Sequence, residues 1–578
     1  MSGQHQLTEE LGPTRVVVDL ALAQLAGGHV MRRLWQRDRR LWATEEPADK
    51  DHLRWLDIPE RDSAALGALT TLAREARAAG YRRALVMGVG GAVLAPALYR
   101  CAFDVPEGFL DLAIVDTTHP ATVGSLTASV DPEQTLFIAA APSGAAVETL
   151  ALLKHFFGHA SARLGGSHVG EHFVTVTDPG SPLAEIAEDW SFRAAILVVG
   201  DDANLCTALT PYGLLPAALM GHDVDRLLDR AREMAGWCGP DVPVEDNPAS
   251  RLGVILAELA RAGRDKLTLL VSNEALGQCF GDWLEQLVSG RTGKDGRGIL
   301  PVVGEPLGLP SEYGPDRLFV CLDCDESKDL DLEALKDSGH PLVRLRLRDR
   351  FDLGGQVVLW DLATAVACHR LQVDPVDRPD EAPSAEASRR IIDVFKESGE
   401  LALPTPALSD GVLTIFGDVT AETPLEAFKD FLARIRPPEY LAIMAYLAPD
   451  EATTELLEAF RDKLRLELGV AVTTSFGPRC LHTTGQLHKG DGGHGRFLLI
   501  TADDPQDVKV PDEMGFQQGV VSFSTLTRAL AVGDHQALRE GGRKALRIHL
   551  GEEVVTGLTA LTRAYDPRRT SSFPPAAR

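Results

Sequence analysis

Hydrophobic and polar positions follow two rhythms along the chain, and the change from one to the other outlines the elements. Short apolar runs, "RRALVMGV" (82–89), "LDLAIVD" (110–116), "TLFIAAA" (135–141), "HFVTVTD" (172–178) and "AAILVV" (194–199), have the length of buried strands. Between them lie stretches of helical period, among them "GGAVLAPALYRCAF" (90–103) and "AAVETLALLKHFF" (145–157). Strands alternating with helices predict a parallel sheet covered on both faces. A second series repeats the pattern. Its strands are "KLTLLVS" (266–272), "ILPVV" (299–303), "DRLFVCLD" (316–323) and "PLVRLRL" (341–347), and its helices are 248–263, 280–290 and 353–372. Residues 15–43 read as two amphipathic helices around Gly27-Gly28, and another helix covers 63–79. A third α/β unit starts at "VLTIFGD" (412–418).

The expected organisation is therefore an N-terminal helical segment (1–60), two doubly wound α/β domains (61–232 and 233–375), a linker (376–410) and a C-terminal α/β domain (411–565). The linker is rich in Pro, Asp, Glu and Ala and carries one helix, and the tail at 566–578 is expected to be disordered. A length of 578 residues suits about three or four such units.

Bulk properties narrow the function. The formal charge of −25 repels polyphosphate backbones, so nucleic acid is excluded as a partner. No apolar run suggests a bilayer span, and the first residues lack the layout of a signal peptide, so the expectation is a soluble cytoplasmic protein with no membrane partner. Eight cysteines spread over the chain argue against a disulfide scaffold. Cys321 and Cys324 form one CxxC, with no second pair to complete a zinc site, and read as thiols at the end of a buried strand. His168 and His172 are four apart but run into a strand without an HExxH pattern, so no metal is expected. "SGRTGKDGRG" (289–298) lacks Walker spacing and follows no strand.

The stretch "APSGAAVET" (141–149) lies where an α/β protein holds a phosphate, between a strand and a helix N-terminus. With the glycine turn "GVGGAVLAP" (88–96), "GDWLEQL", "TGKDGRGILPVVGEPLG", "RLWQRDRRLW", "HFVTVTDPGSPL", "YGLLPAALMG" and "GPRCLHTTGQLHKG", it resembles a phosphoglucose isomerase. The likeness is greatest to the isomerase half of the bacterial transaldolase–phosphoglucose isomerase fusions, covers about residues 15–565, and includes no transaldolase part. It implies tandem sugar-isomerase (SIS) domains, a dimer, and cofactor-free, metal-free interconversion of glucose 6-phosphate and fructose 6-phosphate.

That reaction needs a ring-opening acid, a carboxylate to carry a proton between C1 and C2, a cation for the enediolate, and a phosphate cradle. The resemblance places these parts residue by residue. In the cradle, family S-K-S-G-T-T-x-E-T, only Ser143, Gly144, Glu148 and Thr149 match. Each lost hydroxyl removes a hydrogen bond to a charged group, roughly 1.5–3 kcal/mol. Gly90 and Gly91 keep the close upstream turn, but the serine after them is Ala92. The arginine of G-G-R-Y-S falls on Leu205, the glutamate of E-S-x-G-K on Gly290, and the lysine of F-D-Q-P-x-V-E-x-x-K on Ala385, with Arg378 for glutamine. Glu285, five residues before Gly290, points elsewhere on a helix. Loss of a general base costs about 10²–10⁴-fold in rate. The block "CLHTTGQLHKG" (480–490) is intact and carries His482, the candidate ring-opening acid, and Gln486; the competing reading is a structural turn.

The sugar-phosphate-binding set is thus Gly90, Gly91, Ser143, Gly144, Thr149 and Gln486, with His482 as the catalytic candidate. Strand patterning stays clean while the reaction's polar groups are gone. The resulting expectation is an isomerase-like pseudoenzyme of sugar-phosphate metabolism that binds a sugar or sugar phosphate, as a homodimer or as a heterodimer with an active paralogue. Two alternatives stay open: an enzyme with altered chemistry on a sugar-like substrate, and a still active glucose-6-phosphate isomerase.

Overall fold

The apolar runs become three sheets whose central strands, such as 135–140, 317–323 and 440–446, are buried on both faces. A computed structural model describes residues 7–42, 53, 55–57, 63–166, 168–198, 207–324 and 330–564. The first sheet comprises β2 (Arg83–Gly88), β3 (Asp111–Val115), β4 (Thr135–Ala140), β5 (Phe173–Thr177) and β6 (Ala194–Leu197), following β1 (Leu7–Glu10) in the chain. All its strands are parallel, in the order β3-β2-β4-β5-β6. The second contains β7 (Lys266–Val271), β8 (Leu300–Val302), β9 (Arg317–Asp323) and β10 (Leu342–Arg346), in the order β1-β10-β9-β7-β8. Only β1 runs antiparallel. The third has β11 (Leu408–Ser409), β12 (Thr414–Phe416), β13 (Tyr440–Tyr446), β14 (Val472–Phe476), β15 (Gly495–Thr501) and β16 (Lys544–His549). Its order is β11-β12-β16-β15-β13-β14, with the four strands from β13 onward mutually parallel.

These are mixed α/β domains with mainly parallel sheets, as the alternating pattern predicts. The N-terminal segment departs from a purely helical reading. Leu7 is buried, and the Glu9 carboxylate is sequestered against Arg15 (3.2 Å) and Arg251, which holds "LTEE" as an edge strand on β10. Past it, Trp35 Nε1 donates to the Cys238 carbonyl and Trp42 Nε1 to the Ala365 carbonyl, both at 2.9 Å, anchoring the first helices on the second sheet's helices.

Helix Leu353–Leu371 is almost wholly buried, with Trp360 and Val366 in the core. Extended to Arg350, it is long and apolar enough to cross a bilayer, contrary to the reading that no run is; here it is a core helix, 94% enclosed. Helix Ala382–Ser398, in the segment read as a linker, packs against helix Phe523–Glu540, with Ser384 Oγ donating to Asp534 Oδ1 at 2.8 Å. A second departure concerns cysteine. Cys101 and Cys279 are joined by a disulfide that ties helix Gly91–Ala102 to helix Glu274–Thr292. Partners 178 positions apart leave no trace in local spacing. Cys321 and Cys324 lie at the end of β9 as expected, with Cys321 Sγ 3.2 Å from Asp323 Oδ1.

Candidate functional site

The first sheet's strand order dictates where a ligand can sit. From β2 the chain moves to β3 on one side and then returns to β4 on the other. The crevice opens outside the carboxyl ends of β2 and β4. Those ends are Gly88 and Ala140. The glycine turn leaves the first and "APSGAAVET" leaves the second, so both candidate binding loops meet at the switch point.

Gly90 caps helix Gly91–Ala102 with φ +60° and ψ −143°, a conformation close to glycine's alone. A β-carbon there would lie 2.9 Å from Gln286 Nε2 and 3.3 Å from His482 Cβ. The turn therefore carries the backbone directly against the His482 block. The Gly91 carbonyl accepts from Thr207 Oγ1 at 2.7 Å. Across the crevice, Gly144 (φ +63°) passes so close to Ser181 that a β-carbon would lie 2.7 Å from its Oγ. Ser143 is exposed, and its Oγ accepts from the Ala145 amide at 3.3 Å. Thr149 is fully buried, and its hydroxyl has no hydrogen-bond partner among the described residues.

His482 ends the short helix Arg479–His482, just past β14. Its Nε2 lies 2.9 Å from Glu148 Oε1, at the first turn of helix Val147–Leu164. Burial alone would lower the imidazole's pKa, but the Glu148 carboxylate outweighs it and holds His482 above the ordinary histidine value. Burial likewise pushes Glu148 up, and the facing imidazolium brings it below the usual carboxylate value. The two form a matched proton donor and anchor. Arg378 and Glu381, paired at 3.3 Å, are near enough for both charges to act on His482. The Gln286 side chain donates to the His482 carbonyl at 3.1 Å.

The rest of the block docks the C-terminal sheet onto the other two. Arg479 pairs with Asp282 and lies 3.7 Å from Asp116. Lys489 Nζ pairs with Asp534 at 2.9 Å. Gln486 is fully buried: its amide nitrogen donates to the Gly293 carbonyl (2.8 Å) and to Asp380 Oδ2 (2.6 Å), and its oxygen accepts from the Asp380 amide (3.0 Å). The structure thus brings Gly90, Gly91 and His482 together, sets Ser143, Gly144 and Thr149 on the neighbouring strand exit, and gives Gln486 to the joint between helix Glu274–Thr292 and helix Ala382–Ser398.

Gly290 is buried in the last turn of helix Glu274–Thr292, one turn beyond Gln286 and on the same face. Glu285 lies on an adjoining face, beside Arg479 and Thr483. Burial first, then Asp282, pushes its carboxyl up to about 8. Ala385 faces solvent while the preceding Ser384 faces inward. Leu205 lies outside the described residues. Sequence reasoning did not assign Glu148, Gln286 or Glu381 to the site. An acid in the first turn of the cradle helix marks the first, and the four-residue spacing from Gly290 marks the second.

Two mainly parallel-sheet domains in tandem, the first with glycine loops at its switch point, define the SIS-type doubly wound fold. The chain is 27% identical over 296 residues to the glucose-6-phosphate isomerase of Carboxydothermus hydrogenoformans, a match spanning 48% of this chain and 62% of that relative's length. It is 25% identical over 426 residues to the Rubrobacter xylanophilus glucose-6-phosphate isomerase, covering 64% of this chain and 95% of the relative. Among solved structures, a hypothetical protein of Thermus thermophilus shares the fold with a TM-score of 0.57 and 24% identity, over 67% of this chain and 99% of that one. No protein-family model matches the sequence. The chain is thus similar, distantly and over part of its length, to glucose-6-phosphate isomerases.

Proposed function

We propose that this protein is a sugar-phosphate-isomerase-like binding protein of the cytoplasm that has lost aldose–ketose isomerisation. It acts as a regulatory or partner subunit, in a homodimer or beside an active paralogue. Gly290 carries the reading: where the family's proton-carrying glutamate aligns, there is no side chain. The two carboxylates that act on His482 are already engaged, Glu148 with His482 and Glu381 with Arg378, and an ion-paired carboxylate is a poor base. The cradle supports the same conclusion. Ser143 can supply one hydrogen bond of about 1.5–3 kcal/mol and the helix N-terminus about 0.3–2 kcal/mol toward a phosphate dianion, less than several hydroxyls and an arginine would.

The test is a coupled assay with fructose 6-phosphate and a calorimetric titration with glucose 6-phosphate. No turnover above background and a Kd no tighter than about 1 mM are expected. Turnover in the ordinary enzyme range, about 1–10³ s⁻¹, would return the protein to the active isomerases. The His482–Glu148 pair favours one other reading, an enzyme with altered chemistry on a sugar-like substrate. A half-buried imidazole whose pKa a carboxylate raises is suited to general acid work.

A further inference from the structure

Helix Phe523–Glu540 packs on β16, β15 and β13, and basic side chains gather where β16 pairs with β12. Arg547 of β16 faces Phe416 of β12 in register, and its guanidinium carbon lies 3.6 Å from the Phe416 ring centroid. The residue is 4% exposed. Stacking accounts for the face of the guanidinium but not for its edge. Nε and Nη2 are both buried and have no hydrogen-bond partner among the described residues.

The charge that acts on it is repulsive. Burial, then Arg528, lowers the Arg547 guanidinium to about 10. His535 and His549 share the region, and burial, followed by the neighbouring arginines, lowers each to about 4. The acids around them are taken. Asp503 pairs with Arg528 and lies 3.4 Å from His549 Nε2, Asp504 pairs with His119 at 2.9 Å, and Asp534 with Lys489 at 2.9 Å. Among the described residues a buried cation is thus left uncompensated, in a chain of net charge −25. Burying an unpaired charge is strongly unfavourable unless something neutralises it.

Nε and Nη2 form the side edge of the guanidinium fork, whose two parallel N–H bonds match two oxygens of one phosphate or carboxylate. We propose that Arg547, with Arg528 and His549 beside it, is a binding site for a phosphate group, free or carried on a small molecule, separate from the His482 cleft. The proposal does not depend on whether that cleft binds sugar.

The experiment compares thermal unfolding of the full chain, Arg547→Met and Arg547→Lys in chloride and in phosphate at equal ionic strength, with glycerol 3-phosphate as a further probe. Phosphate stabilises many proteins by exclusion from their surface, so the variants provide the baseline. The parent is expected to gain more from phosphate than either variant, because ligand binding to the folded state raises the midpoint and lysine lacks the fork. In chloride the Met variant should unfold no earlier than the parent, since it removes an unpaired buried charge. A larger response to glycerol 3-phosphate identifies a carried phosphate, and a larger response to inorganic phosphate identifies the free ion. Equal phosphate gains in all three chains, or an early-melting Met variant with the parent's phosphate gain intact, would overturn the proposal.

Discussion

Replacing Glu148 with glutamine tests the His482–Glu148 pair, because the change keeps the shape and removes the charge. The pair joins a buried carboxylate to an imidazole whose side chain is 31% exposed. Exposed pairs contribute about 0–1 kcal/mol, whereas removing one partner of a fully buried pair costs about 3–5 kcal/mol. The intermediate burial places the cost of Glu148→Gln near ~2 kcal/mol at about pH 6. The pH dependence is the sharper part. The folded chain binds the His482 proton more tightly than the unfolded chain does. This contribution is full below the unfolded value of about 6.5 and fades as pH rises through the raised folded value. Glu148 is depressed, so its share is present above about 4.3 and is lost only as pH falls through the lowered value. The penalty of the substitution should therefore be largest near about pH 6 and shrink as pH rises through the raised folded value of His482. Urea unfolding below and above that value gives the difference, and NMR titration of carbon-labelled histidine follows His482. In the variant its pKa should drop, because burial is then opposed only by Glu381, against which Arg378 acts. A penalty independent of pH, or an unchanged His482 titration, would refute the assignment.

Gly90→Ala should cost about 1–3 kcal/mol in unfolding free energy, since alanine must adopt φ +60°, ψ −143° and its β-carbon meets Gln286 and His482; a loss within about 0.5 kcal/mol would show that the turn relaxes freely. Glu285→Gln should flatten the stability profile on the alkaline side. The parent carboxyl is held up to about 8 when folded, so it loses stability as pH rises from about 4.3 through 8, and the glutamine chain should gain relative to it across that window. Parallel profiles for the two chains would place Glu285 in contact with solvent.

Much of the fold is legible in the order of residues because it depends on local rhythm. Runs such as Leu136–Ala140 are strand-length and apolar on both faces, so they belong inside a parallel sheet whatever surrounds them. The paired glycines at 90 and 91, the small-residue turn at 143–144 and the absence of a side chain at 290 are likewise local facts. Contacts across the chain are not local. The 334 positions between Glu148 and His482, and the 196 between Gln286 and His482, carry no periodicity that links them. Strand order brings β2 and β4 to one crevice, and the packing of the third sheet against the first brings the exit of β14 to it. The same holds for Gln486, whose amide is spent on Gly293 and Asp380, and for the Cys101–Cys279 bond. Composition and hydrophobic spacing determined the sheets, the loops at their ends and which polar groups the chain lacks. Tertiary packing decided how the remaining charges pair and which of them, like Arg547, find no partner among the described residues, because burial and proximity set those energies and neither is written in the local sequence.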